Sequence, residues 1–396
     1  MFSLLRQRSF AVLWFGGLIS IAGDWVLYAA LPFFVYERTG STIATAGMIV
    51  AELGPGVVVG SIAGVYVDRL DRRRLLIAAN LAQALTVMTL AVVVHGGRVW
   101  VVYVAAAVQS VIASFAVPAE SALLPSLVPA DQLVAANALT TLNNRLARLT
   151  GVPLGGLLLG LFGLGPVVVA DAVSFVVAAA MVALVTSPPR VPTRRDGSVW
   201  ASVGGEWLDG LRLVRDDRAV ATLFWVLGLM TFGGTMLDPL YVAWVRDVLH
   251  RGPQVYAFLL VTGAAVGIAG ALVVGRYRER LAPRILIGWS SLIAGAALVA
   301  KWDLPYVGLT FALTCVSGIT SIASSIGVET LVQQSVRDAF RGRVFAALGA
   351  SGAFFSLAGA VIGGTGARFV GVTTMLNVAS LLVVVAGVVA LRAVGR

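Results

Sequence analysis

The chain has 396 residues, 59% of them hydrophobic and 12% charged, with a mean hydropathy of +0.93. A soluble globular domain carries about 25% charged residues, so most of this surface must face lipid, and a string of soluble domains is excluded. One cysteine, Cys315, excludes an intrachain disulfide and a cysteine-based metal site.

About 20 apolar residues cross a bilayer core as a helix. Runs of that kind fall at 10–35, 43–66, 75–94, 99–122, 135–161, 166–186, 219–243, 254–275, 285–300, 304–328, 343–364 and 372–391. The first run is longer than the apolar core of a secretory signal and has no small-residue cleavage site, so it reads as an uncleaved first span. The linkers are short except 187–218, which opens with Pro188, Pro189 and Pro192 and is rich in charge. Within it Val203, Trp207, Leu211 and Val214 share one helical face opposite arginines, the pattern of an amphipathic helix on the inner membrane surface. The expected fold is therefore an all-α membrane protein of twelve transmembrane helices. It has a six-helix bundle at 1–186, a cytoplasmic linker at 187–218 and a second six-helix bundle at 219–396.

Arginine placement sets the orientation. With the N-terminus inside, the inner segments hold Arg6 and Arg8, the run Arg69 to Arg74, the arginines of 190–218, Arg276 to Arg284, Arg337 to Arg343, Arg392 and Arg396. The outer ones hold Arg38, Arg98, Arg246, Arg251, Lys301 and Arg368. The net charge of +10 is thus accounted for by topology, and no nucleic-acid partner is needed. Both termini are expected in the cytoplasm. Short tails without a transit peptide fit a bacterial cell membrane.

The halves repeat. Gly64 and Gly275, Glu120 and Glu329, Asp131 and Asp338, and Gly151 and Gly359 pair in order at offsets of 207 to 211 residues, so the halves are pseudo-symmetric. Two related bundles that rock about a central site are what alternating access requires.

After the second span the chain reads Gly64-Val-Tyr-Val-Asp68-Arg69-Leu-Asp71-Arg72-Arg73-Arg74. This resembles the loop 2–3 signature of the major facilitator superfamily, with Asp71 where the pattern has glycine. The resemblance implies a cytoplasmic gating latch: Asp68 its acid, Arg69 and Arg73 its basic partners, with Gly64 and Arg72 in the same motif. Span five carries Gly151-Val-Pro153-Leu-Gly155-Gly156, similar to the antiporter motif of exporters in that family, with the proline displaced by one residue. Plain helix packing would use the same small residues. Further likeness to the exporter branch that includes enterobactin exporters and macrolide-efflux proteins lies in five places. They are Gly23-Asp24-Trp25, Pro118 to Pro125, Leu133 to Leu139, Asp171 to Phe175, and Phe340 to Phe345. It implies proton-driven efflux of an amphiphilic small molecule by a monomer, with protons and the substrate as partners beside the lipid bilayer and no cofactor.

Charge inside a membrane is costly and needs a reason. Asp24, in the middle of span one, is a candidate proton or cation site, or half of a structural ion pair. Glu52, in span two, is a proton site, a substrate contact or an arginine's partner. In span five Asn144 and Arg148 share one face, as do Asn137 and Thr141 below them, with Arg145 alongside, and this stripe is expected to face protein or water. Arg148 is expected to pair with Asp24 or Glu52 and to tune that acid. Trp25, Tyr28, Phe33 and Phe34 offer an aromatic wall beside Asp24 suited to a lipophilic cation, or interfacial anchors. Gln109 and Asn80 line a cavity or bond between helices. Asp171 and Asp238 read as caps or snorkelling groups near outer helix ends.

An enzyme of the membrane interior is disfavoured. Gly349-Ala-Ser351-Gly352 is similar to the short serine motif of rhomboid-type proteases. The histidines, His95 and His250, lie at outer helix ends and neither follows Ser351. No Walker A loop or zinc-protease helix motif is present. An importer or sensor on the same fold remains the alternative to an exporter.

Overall fold

A computed structural model describes residues 2–67, 69–186, 218–277, 282–335 and 338–393. Among the described residues, twelve helices are long and apolar enough to cross a membrane. They are α1 (Arg8–Thr39), α2 (Thr42–Val67), α3 (Arg72–Met88, continued by a single turn at Ala91–Val94) and α4 (Trp100–Leu123). Next come α5 (Leu133–Phe162), α6 (Leu164–Ala183), α7 (Arg218–Asp247) and α8 (Pro253–Tyr277). The last four are α9 (Pro283–Asp303), α10 (Val307–Ser335), α11 (Asp338–Val370) and α12 (Val372–Ala393). Among the described residues there is no strand. Lipid offers the backbone no hydrogen-bond partner, and a helix satisfies its own groups, so each apolar run takes this form.

Every expected span is a helix, and several run past their expected ends. α11 continues beyond residue 364 to Val370 because Thr365 returns its hydroxyl to the Val361 carbonyl (2.6 Å) and so needs no water. Gly371, at φ +89°, then ends it. The amphipathic segment expected within 187–218 and the latch acid Asp68 lie outside the described residues.

The chain forms two compact units. One comprises Met1–Arg38 and Ala51–Val199; the other comprises Thr39–Val50 and Trp200–Arg396. The first turns of α2 thus belong with the second unit, where Thr42 Oγ1 donates to the Gly364 carbonyl at 2.7 Å. In the first unit α3 packs along α4 and α6; in the second α9 packs along α10 and α12, the same arrangement one repeat later.

The sequence repeat is also a repeat of backbone geometry. The α5–α6 and α11–α12 turns both hinge on a glycine with positive φ, Gly163 (+79°) and Gly371 (+89°). The turn between α1 and α2 uses Gly40 at +60°, and its counterpart after α7 uses His250 at +52°. The helix seams match too. Gly151 and Gly155 bring α5 against the Ala22 and Val26 carbonyls of α1, while Gly359 and Gly363 bring α11 against the Phe232 and Met236 carbonyls of α7. A methyl group on Gly155 would sit 2.9 Å from the Val26 carbonyl carbon, and one on Gly363 2.6 Å from the Met236 carbonyl oxygen. Only glycine allows backbones this close, the small-residue packing typical of membrane helices.

Candidate functional site

The polar centre of the first unit is built on α1. Gly23 has no side chain, and a Cβ there would run into Asp171 and Ser174 of α6. That gap lets α6 bring its carboxylate up to the next residue of α1, Asp24. Asp171 is fully buried; Ser174 donates to its backbone carbonyl at 2.7 Å and reaches its Oδ1 at 3.4 Å. The other carboxylate oxygen of Asp171 has no hydrogen-bond partner among the described residues. Asp24 is accessible, and it lies within electrostatic reach of both Asp171 and Glu52. Three helices, α1, α2 and α6, thus converge three carboxyl groups on one region. Asp24 and Glu52 were candidates from sequence. Asp171 was read as a cap or snorkelling group, and the structure instead buries it against Gly23. The signal for it was the Gly23-Asp24 pair facing an Asp171-x-x-Ser174 turn.

Arg148 does not meet Asp24. Its guanidinium lies over the Trp25 ring, 4.8 Å from the centroid, and Trp25 meets Tyr28 edge-on at 4.9 Å. The cause is the glycine seam. Gly151 rests against Ala22 and the Trp25 Cβ, so the residue one turn earlier on α5 arrives over the indole rather than over the neighbouring carboxylate. The result is a row of one cation and two rings beside the acids. Tyr28 is exposed and Trp25 and Arg148 are half-buried, so the row has an accessible edge. Asn144 and Arg145 are exposed, and the Asn144 amide turns back to the Thr140 carbonyl of its own helix (3.2 Å). Asn143, which sequence reasoning passed over, is the buried member of that stretch and donates to the Trp14 carbonyl at 2.6 Å. Gln109 donates to the Gln83 carbonyl of α3 at 3.5 Å, and Asn80 bonds within its own helix.

The loop after α2 is tied to helix ends of its own unit. Arg72 donates to the Ala122 carbonyl in the last turn of α4 at 2.7 Å. Arg73 donates to the Val182 carbonyl (3.3 Å) and to the Ala183 carbonyl at the end of α6. Arginines on unsatisfied C-terminal carbonyls complete the helix ends and match their partial negative charge. Asp71, in place of the family's glycine, caps α3 by accepting from the Arg74 amide at 2.8 Å. Arg69 is exposed.

A second polar group was misplaced by sequence reasoning. Lys301, counted with the outer loop cations, is buried. Its ammonium donates to the Tyr241 hydroxyl at 2.8 Å and sits over the rings of Tyr241 (4.1 Å) and Trp302 (4.5 Å). Trp302 in turn donates to Ser380, and Trp244 to the Trp302 carbonyl. Aromatic faces and one hydroxyl replace the water this cation would otherwise keep.

Comparison with known proteins agrees with this architecture. The Major Facilitator Superfamily profile matches residues 13–360. Macrolide efflux protein A of Streptococcus pyogenes is 26% identical over 352 residues, 87% of this chain and 85% of that protein. The multidrug efflux pump Tap of Mycobacterium bovis is 26% identical over 352 residues, 86% and 82% of the two chains. Among solved structures, a bacterial homologue of the lysosomal transporter Spinster, inward-facing, superposes with a TM-score of 0.75 at 14% identity, over 98% of this chain and 97% of that one. A bacterial homologue of the iron transporter ferroportin, also inward-facing, gives 0.73 at 18% identity, over 98% and 99%. With twelve spanning helices in two repeated units and a profile match across most of its length, the chain belongs to the Major Facilitator Superfamily and is a multi-pass membrane transporter.

Proposed function

We propose that this transporter is a proton-coupled exporter of an amphiphilic small molecule of the drug, macrolide or siderophore class. It works by alternating access in the cell membrane, as a monomer with both termini in the cytoplasm. The observation that carries the reading is the convergence of accessible Asp24 with Glu52 and buried Asp171, beside the Arg148–Trp25–Tyr28 row. Carboxyl groups held inside a membrane protein are the usual carriers of a coupled proton. Aromatic rings next to them give an amphiphile an apolar surface and a cation a π face. Asp24 carries the proton, and Arg148, always charged, sets the local field and orients Trp25. The two repeated units are the rigid bodies of the transport cycle. The efflux relatives favour export over import.

The test is substrate-induced proton movement in energised inverted vesicles, over a panel of lipophilic cations, macrolides and siderophores. Proton release from the lumen on adding one compound, abolished in Asp24→Asn, is the expected result. Release that persists undiminished in Asp24→Asn refutes Asp24 as the carrier. Silence across the panel from folded protein refutes proton-coupled export of these classes.

A further inference from the structure

The second unit contains a cavity of about 270 Å³ between α7, α10 and α11. Two phenyl rings, Phe224 and Phe355, line it edge to face with centroids 5.9 Å apart. Gly228 admits the second ring, since a Cβ there would lie 2.8 Å from Phe355 Cε2. Glu329 is among the lining residues and is exposed, while Ser351 and Gly352 leave the α11 side low.

The internal repeat shows how the side chains of the two units differ here. The α5–α11 offset of 208 residues, from Gly151 and Gly359, places Asn143 and Asn144 opposite Ser351 and Gly352. The α1–α7 offset of 210, from the Ala22 and Phe232 contacts, places Trp14 opposite Phe224. Glu120 is the counterpart of Glu329. In the first unit side chains meet at this place. Asn143 is buried with its amide on the Trp14 carbonyl, and a Cβ on Gly17 would lie 3.3 Å from Glu120 Oε1 and 3.6 Å from Asn143 Nδ2. The second unit keeps the acid and has phenyl for indole at Phe224 and hydroxymethyl for amide at Ser351, while Leu227 and Phe355 stand where the first unit has Gly17 and Ala147.

We infer that this hollow is a binding site for a small organic monocation with an aromatic or compact apolar body, its charge toward Glu329 and its body against the joined Phe224 and Phe355 rings. The chemistry is complementary on both counts: a carboxylate for the charge, and ring faces for a weakly hydrated cation and its apolar part. At about 270 Å³ the cavity falls just under the roughly 300–1,000 Å³ of drug-sized sites. It therefore takes a fragment-sized cation, or the amine-bearing end of a larger amphiphile. The biological meaning rests on the exporter reading, for which this is a substrate subsite away from the Asp24 carboxyls.

The experiment is equilibrium binding of benzyltrimethylammonium to the purified full chain in nanodiscs, with neopentylbenzene as the uncharged isostere. Saturable binding of the cation is expected, with the isostere much weaker. Glu329→Gln lowers affinity about fivefold, the worth of one partly exposed ion pair. Ser351→Asn with Gly352→Asn, which places the first unit's asparagines at these two positions, abolishes binding. Absence of saturable binding, or binding that survives the filled variant, overturns the site. Should the filled variant not fold, photolabelling of the wild-type chain with an azidophenyl trimethylammonium decides. Label on α7 and α11 around Phe224 and Phe355 supports the site; label confined elsewhere refutes it. The vesicle assay separates the two proposals. Binding here without proton movement keeps the site and removes the coupled exporter, and proton movement without binding here does the reverse.

Discussion

Replacing Gly155 by alanine tests the seam on which the first unit's polar centre depends. The added methyl would lie 2.9 Å from the Val26 carbonyl carbon and 3.0 Å from its Cα. Both are backbone atoms of α1 that no rotamer change can clear, so α5 must back away from α1. Overpacking of this kind costs about 1–3 kcal/mol, and removing a mid-helix glycine returns about 1 kcal/mol of propensity. The clash is with rigid backbone, so we place the cost at its upper end and the net loss at about 1–2 kcal/mol. Gly60 supplies the control, because a Cβ there meets nothing within 4 Å. Gly60→Ala keeps only the propensity gain, so it is neutral or stabilising by up to about 1 kcal/mol. Gly363→Ala, at the equivalent seam of the second unit, behaves like Gly155→Ala, and the two losses add because they share no partner. Thermal unfolding of purified protein, followed by loss of monodisperse elution, reads the difference as a few degrees. Gly155→Ala at or above the melting temperature of Gly60→Ala would refute the seam and, with it, the cause assigned to the Arg148–Trp25 contact.

Three further outcomes are expected. A double-mutant cycle between Arg148 and Trp25 gives a coupling of about 0.5–1 kcal/mol, while the cycle between Arg148 and Asp24 gives less; the opposite order in unfolding measurements restores the ion pair that sequence suggested. Asp71→Ala costs about 1 kcal/mol through loss of the α3 cap, whereas Asp71→Gly costs only a few tenths. Hydrogen exchange at the Arg74 amide rises above wild type in both variants, and exchange unchanged from wild type would discard the cap. Lys301→Met, which keeps the stem between Tyr241 and Trp302 and removes the charge, stays within about 1 kcal/mol of wild type, and Lys301→Ala costs about 2–4 kcal/mol through the void. Equal losses in the two variants would mean that the ammonium itself holds the cage together.

The sequence alone determined the class of molecule, the twelve spans and the two-fold repeat. The physical reason is that lipid sets these one segment at a time. Each crossing must be long, apolar and internally hydrogen-bonded, whatever its neighbours do. Chain reversals follow an equally local rule, although their glycines came from the structure: Gly163 and Gly371 take positive φ in the turns after α5 and α11. Helix faces were not legible. These helices are apolar nearly all round, so no stripe marks which side meets which partner. Only packing decided that Gly23 draws Asp171 up to Asp24 and that Gly151 carries Arg148 onto Trp25. Packing alone also enclosed Lys301 in rings and left a hollow lined by Glu329, while Asn143 of the first unit bonds to the Trp14 carbonyl. Each of these depends on a side chain one helix lacks at the point where another arrives, and that is a property of two surfaces brought together.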